Sequence, residues 1–222
     1  GIGSVLDQHL DIVYHNIALN SYRNTDQAML ETSVLSTLSI DFLHSPPDAV
    51  IVSDNEAMNF LMCNYNAILP NDIPIVFCGL NNKAVAAAQR YENYINLQGI
   101  VEPISAAETV EQMLKLFPDT EEIFVINDYT RSGRRWREEI KTQLAPLAGR
   151  VQVHYNENLS FTELVSEVSR LDEHALVLTG SYYIDRNDRY VPQPSLQTEL
   201  YQASPVPIFG LLDTSQGFGQ IG

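Results

Sequence analysis

The residues of this chain best suited to chemistry sit where its short apolar runs end. Ser53, Asp54 and Asn55 follow the run from Asp48, and Gly79, Asn81 and Asn82 follow Ile73 to Cys78. Asp128, Tyr129 and Thr130 follow Glu122 to Asn127, Gly180, Ser181, Tyr182 and Tyr183 follow Ala175 to Thr179, and Asp213 and Thr214 follow Val206 to Leu212. If those runs are parallel strands, these positions lie beyond the strands' carboxyl ends, where helix N-termini offer unpaired N–H groups to a ligand. The side chains are small, amide, hydroxyl or aromatic, which suits hydrogen bonding and stacking of an uncharged or zwitterionic small molecule. Each position taken singly is also ordinary turn or cap chemistry. Taken as a set they favour binding. Asp54 and Asp128 are the candidates for a general acid or base at these ends, with no nucleophile motif beside them, so an enzyme of doubly wound fold is not the expectation.

Other signatures are missing or incomplete. Neither the G-x-S-x-G elbow nor the G-x-x-x-x-G-K-[ST] phosphate loop occurs. Gly217 to Gly222 spells G-x-G-x-x-G, but it lacks both a helix opening from it and an acidic residue about 20 positions on, so no nicotinamide cofactor is expected. The histidines His9, His15, His44, His154 and His174 never pair with each other or with cysteine at ligand spacing, so no metal is expected either. Asp185 to Arg189 lacks the Gly and the distant Glu of a calcium loop and reads as a polar turn. Ser132 to Arg135 places Arg side chains at a helix start, a setting that could hold an anion, with Arg135 and Arg137 read as lying on the solvated face.

Alternating elements must position the candidate residues. Helical spacing runs from Asn24 to Phe42 and stops at Pro46 and Pro47, since proline cannot continue the backbone ladder. Asp11 to Leu19 alternates as a strand. The continuous runs Asp48 to Ser53, Ile73 to Gly79, Glu122 to Asn127 and Ala175 to Gly180 have the look of strands buried on both faces in parallel sheets, with Val151 to Tyr155 a further strand. Helices are expected after Asp54, near Lys83 to Arg90, over Ala106 to Phe117 and Arg134 to Leu147, from Ser160 to Leu171, and near Ser195 to Ala203. Ser105 with Glu108, and Ser160 with Glu163, have capping-box spacing. Gly99 to Ser105 reads as a hinge strand between two lobes, and Pro205 to Gly210, which repeats the pattern of Ile73 to Gly79, as its counterpart returning to the first sheet.

Composition bounds the partners. The 222 residues are 45% hydrophobic and 18% charged, with 13 Lys and Arg against 28 Asp and Glu and a formal net charge of -15. Such a surface repels phosphate backbones and anionic membranes, so no nucleic-acid partner is expected. No apolar run approaches the roughly 18 residues of a membrane span. Cys63 and Cys78 sit in apolar sequence and read as free buried thiols.

Six segments together resemble one family: Asp48 to Leu61, Ile73 to Asn82, Gly99 to Glu102, Leu116 to Thr120, Val125 to Asp128, and Pro205 to Gly210. They are similar to the periplasmic substrate-binding proteins of ABC transporters, in the version used as the extracellular sensor domain of bacterial membrane histidine kinases and diguanylate cyclases. The resemblance implies the type I periplasmic-binding α/β fold, with two Rossmann-like three-layer lobes. Residues 1–100 plus 206–222 would form the N-terminal lobe, and residues 101–205 the C-terminal lobe. It also implies a small ligand, amino-acid-like or aromatic, held in the cleft by Ser53, Asp54, Asn55, Gly79, Asn81, Asn82, Asp128, Tyr129, Thr130, Ser181, Tyr182, Tyr183, Asp213 and Thr214. No cofactor or catalysis is implied, and the location is the periplasmic or extracellular side of a bacterial membrane, with tethering only through segments absent here. Delivery of solute to an ABC permease is the alternative within the same fold. Family members carry a strand ahead of the first helix and a further crossing after the last strand, so the chain reads as a trimmed domain. That leaves a gap in the sheet, a rearranged sheet, or pairing with a second copy (a homodimer) as the ways to accommodate the missing strand.

Overall fold

A computed structural model describes residues 2–8, 12–19, 27–69, 73–80, 96–212 and 219–221. Within them the chain is the expected mixed α/β fold, with two separate sheets in which every strand pair is parallel. The first sheet has the order β1-β2-β3, formed by β1 (Val50–Ser53), β2 (Ile75–Leu80) and β3 (Leu97–Val101). The short helix α1 (Ile2–Leu6) and the long α2 (Gln27–His44) precede it, and α3 (Asn55–Ile68) links β1 to β2. Leu38 of α2 and Met58, Leu61, Tyr65 and Ile68 of α3 bury against Val52, Ile75 and Phe77, forming one core. β2 and β3 approach so closely that a Cβ at Gly99 would lie 2.1 Å from the Phe77 carbonyl oxygen, and glycine removes that clash.

The second sheet has the order β5-β4-β6-β7-β8. Its elements are α4 (Ala106–Leu116), β4 (Glu122–Ile126), α5 (Arg131–Leu144), β5 (Gln152–Tyr155), α6 (Phe161–Val168) and β6 (Ala175–Thr179). A three-part helical stretch follows, α7 (residues 193–203), whose middle section Leu196–Leu200 is a wide π turn, and then β7 (Ile208–Gly210) and β8 (Gln220–Ile221). All five residues of β6 are buried, as its uninterrupted apolar run requires of a central parallel strand. The helices divide between the two faces. Val110, Met113, Ile140 and Leu144 of α4 and α5 cover one, and Leu164, Val168, Leu196 and Leu200 of α6 and α7 the other.

Two helix starts show how local and distant partners compete. At α6 the capping box forms: Ser160 N–H donates to Glu163 Oε2 at 2.8 Å and Ser160 Oγ accepts from Glu163 N at 3.4 Å. Donation from Ser160 Oγ to Glu163 Oε2 at 2.5 Å, and with it that from Ser160 N–H, holds the exposed Glu163 carboxyl below its usual pKa. Ser160→Ala is expected to lower stability by about 1 kcal/mol in chemical denaturation. At α4 the expected box does not form. Gln143 Oε1, from α5, accepts from Ala106 N at 2.9 Å and Ala107 N at 3.3 Å, while its Nε2 donates to the Ile104 carbonyl at 2.7 Å.

Three further expectations are corrected. β7 does not return to the first sheet: Val177, Leu178 and Thr179 pair with Ile208, Phe209 and Gly210, and Phe209 buries edge-on against Phe117, 6.0 Å between ring centroids. A continuous apolar run satisfies any parallel sheet, and the nearest free edge was that of β6. Residues 208–210 and 220–221 therefore belong with the second lobe, and β3 and β7 do not run side by side. Residues 12–19 form no strand. They join no ladder, and Ile12, Val13, Tyr14 and Ile17 are exposed while only Leu19 touches the first core. Gln220 and Ile221 form a strand where the G-x-G-x-x-G reading needs a helix. Cys63 is exposed on α3, and neither it nor the partly buried Cys78 forms a disulfide. The expected helix near Lys83 to Arg90 lies outside the described residues.

Candidate functional site

Among the described residues the two lobes are joined covalently once. Glu102 N–H still donates to the Leu80 carbonyl at 2.8 Å, extending the first sheet, and Ile104 is already buried in the second core. The crossing thus occupies Glu102, Pro103 and Ile104, with proline fixing one backbone torsion of this short link. It is shorter than the Gly99 to Ser105 segment read from sequence, because β3 stays paired out to Val101, across a shift of register between Phe77 and Leu80.

A second connection is electrostatic. Glu56, in the first turn of α3, lies 3.9 Å from Arg131 and 3.7 Å from Arg135, in the first turns of α5. α3 starts at the carboxyl end of β1 and α5 just beyond that of β4, so these contacts bring the strand-end edges of the two sheets face to face. That is the setting in which open α/β sheets bind ligands. Among the described residues no cluster of His, Cys, Asp and Glu is placed to hold a metal ion, and no helix is long and apolar enough to cross a membrane.

On the first lobe the edge is acidic. Asp54 adopts φ 75°, ψ 155°, a backbone region that residues other than glycine rarely occupy, and its side chain makes no cap to α3. Its N–H donates to the Cys78 carbonyl at 3.1 Å, and partial burial raises its carboxyl pKa. A Cβ at Gly79, itself at φ 67°, would lie 3.5 Å from Asp54 Oδ1 and 3.8 Å from Glu102 Oε2, so both carboxylates gather at the Gly79 turn. Ser53 is exposed beside them, and Asn55 is buried as the first residue of α3.

On the second lobe several expected ligand contacts are occupied by the fold itself. Asp128 is fully buried. Its Oδ1 accepts from Thr130 N at 3.1 Å and Thr130 Oγ1 at 2.6 Å, and its Oδ2 accepts from Tyr183 N at 3.0 Å. It clamps the β4 loop to the β6 loop instead of facing a cleft. Thr130 Oγ1 also accepts from Gly133 N at 2.9 Å as the cap of α5, which is why that helix begins three residues before the expected Arg134. Tyr129 spends its hydroxyl on the Asn156 carbonyl at 2.6 Å and on Leu159 N–H at 2.7 Å. Tyr182 packs inward against Phe161, and burial pushes its hydroxyl pKa up. Of the second-lobe set Asp128 and Tyr182 are buried and Tyr129, Thr130, Ser181 and Tyr183 half-buried. The fold takes up the hydroxyls of Tyr129 and Thr130, which leaves Ser181 and Tyr183 as the half-buried pair at the β6 loop. They line, with Gly180, Gln193, Tyr201 and Gln220, a polar chamber of about 10 Å³, room for a single water. Asn81, Asn82, Asp213 and Thr214 lie outside the described residues.

Beneath this rim is a buried polar cluster that the sequence reading passed over. Asn156 Oδ1 accepts from Asn127 N at 2.9 Å and its Nδ2 donates to the Asn127 carbonyl at 2.9 Å, so one carboxamide continues the β4–β5 ladder past the end of both strands. Arg137 Nη2 donates to the Asn127 carbonyl at 3.1 Å and to Asn156 Oδ1 at 3.2 Å. Arg137 is therefore buried, not on the solvated face, and its guanidinium lies 5.4 Å from the centre of the Tyr129 ring.

The clamp makes stability depend on pH. Burial pushes the Asp128 carboxyl up from 3.8 to about 6, against the lowering effect of the Thr130 and Tyr183 hydrogen bonds and of Arg137. The native state then binds this proton more tightly than the unfolded state, so the Asp128 contribution favours folding as pH falls from 7 through 6 toward 4. The change is about 3 kcal/mol across that window at roughly 1.4 kcal/mol per unit. Denaturation at a series of pH values should show it as a slope present in the wild-type chain and missing in Asp128→Asn.

No family model matches the chain, and no curated protein shows significant similarity to it. Among solved structures it is similar to a conserved domain protein from Vibrio cholerae, with a TM-score of 0.58 and 16% identity over 94% of this chain and 75% of that one. It is similar also to an extracellular ligand-binding receptor from Rhodopseudomonas palustris, with a TM-score of 0.47 and 13% identity over 80% of this chain and 47% of the other. The first likeness, at that identity, establishes a shared fold, and the second is too distant to argue from.

Proposed function

We propose that this chain is an extracytoplasmic small-molecule-binding sensor domain of a bacterial signal-transduction protein, which holds its ligand between two lobes and signals by their closure. The observation that carries the reading is the contact of Glu56 with Arg131 and Arg135, because it sets the carboxyl ends of two parallel sheets against each other. A single crossing at Glu102 to Ile104 leaves the lobes free to change their angle. A ligand touching both edges binds the closed form better than the open one, and that difference in affinity is the signal. The resemblance of the segments from Asp48 to Gly210 to sensor domains of membrane kinases and cyclases supports the location and the output. Among the sequence-derived candidates Ser53 and Asp54 are exposed on the first-lobe edge, and Ser181 is half-buried on the second.

The test is a thermal-shift screen of the chain over amino acids and small aromatic compounds. A ligand at 100 times its Kd adds about 2.7 kcal/mol, which at this chain length raises Tm by roughly 5–10 °C. Indifference to every compound in the panel would count against the proposal.

A further inference from the structure

The start of α5 breaks a local electrostatic rule. Of the 13 Lys and Arg residues in a chain of net charge -15, four lie between positions 131 and 137. Arg131, Arg134 and Arg135 are exposed, and the first turn of the helix carries no acidic residue. Cations at a helix N-terminus oppose its positive dipole end, and conflicts of this kind mark functional sites. Arg134 is held in place by donating to the Tyr129 carbonyl. Arg131 and Arg135 receive their only anion among the described residues from the opposite lobe, and the fit is loose. At 3.9 and 3.7 Å their contacts to Glu56 are ion pairs but not hydrogen bonds, and Glu56 Oε1 is shielded from water without any hydrogen-bond partner.

We infer that Arg131 and Arg135 receive a carboxylate of the ligand, and that Glu56 occupies their place for it while the cleft is empty. The inference rests on the proposed cleft function and specifies its ligand as a carboxylic acid. Asp54 and Glu102, gathered at Gly79 on the facing edge, repel a carboxylate. The acid group is thereby oriented toward the second lobe, where the guanidinium groups of Arg131 and Arg135 stand at the positive end of α5. Entry of the ligand releases Glu56, so one event breaks the bond between empty lobes and builds its replacement.

The experiment is calorimetric titration of the whole chain with each of the twenty L-amino acids, with the carboxamide of every one that binds, and with indole and phenol as probes without a carboxylate. The acids should bind, and their carboxamides should bind roughly 10- to 100-fold more weakly, the worth of a charge-assisted hydrogen bond. Arg131→Gln and Arg135→Gln should weaken the acids to a similar degree with circular dichroism unchanged, since both side chains are exposed. Glu56→Gln should tighten them a few-fold by removing the competitor. Equal affinity for acid and carboxamide, acid binding indifferent to the Arg substitutions, weaker binding in Glu56→Gln, or binding of indole or phenol alone would each overturn the inference while leaving a ligand-binding cleft. Failure of every probe would instead sink the cleft reading itself.

Discussion

Replacing Asp128 with alanine is expected to lower the stability of the chain by about 3 kcal/mol. Three donors converge on this one carboxylate, namely Thr130 N, Thr130 Oγ1 and Tyr183 N, and Asp128 has no access to solvent. Truncation leaves the two backbone N–H groups with no acceptor, at about 1–3 kcal/mol each, partly offset because the charge itself is no longer buried. The neighbouring Gly133 records how closely the site is built, since a Cβ there would fall 1.7 Å from Asp128 Oδ1. Urea denaturation should show the loss, together with a Tm lower by roughly 6–12 °C. A loss below about 1 kcal/mol would mean that water reaches the freed donors and that the clamp is looser than its geometry.

Asn156→Ala is the companion case, at a similar cost of about 3 kcal/mol. Its carboxamide is fully buried and serves Asn127 as both donor and acceptor, in the manner of the next rung of the β4–β5 ladder. Alanine leaves Asn127 N–H unpaired and removes one of the two acceptors that Arg137 uses in the interior. A buried guanidinium with too few partners is among the most destabilising outcomes of a single substitution. The double variant Asn156→Ala/Arg137→Met should recover part of the loss, because it removes the stranded charge along with its acceptor. Strictly additive losses in that pair would show that the two residues act independently.

What the sequence disclosed follows the range of each interaction. The Ser160–Glu163 box was legible because both partners lie within one turn. The matching Ser105–Glu108 spacing misled because Gln143, 37 positions from Ala106, caps the helix instead, accepting from the first-turn N–H groups of Ala106 and Ala107. The strands were legible as parallel, and β4 and β6 as buried on both faces. Ile51 and Val76 are exposed, however, so β1 and β2 are not buried on both faces as their apolar runs suggested, and a run such as Val206 to Leu212 carries no mark of which sheet it will join. Among the described candidates, Ser53 to Asn55, Asp128 to Thr130 and Ser181 to Tyr183 lie at or just beyond strand ends, but their spacing carried no mark of which side chains turn inward. Asp128 and Tyr182 turned inward, and Glu56, one residue beyond the candidate set, supplied the contact between lobes. One signal for Arg137 was available: it lies on the stripe Gly133, Arg137, Ile140, Leu144, all buried, at helical spacing. A second was the asparagine directly after each of two adjacent strands, at positions 127 and 156, where an amide can extend a ladder that the backbone has stopped building.

The account stands on the claim that two lobes hinge about Glu102 to Ile104 and close on a ligand. Its most direct test is the distance between a spin label on the exposed Cys63 of α3 and one on Thr142→Cys of α5, in a Cys78→Ser background. The account predicts a broad distribution for the chain alone, and a narrower one with a shifted mean when a mixture of the twenty L-amino acids is added. A distribution that stays the same while calorimetry reports a bound ligand would contradict it.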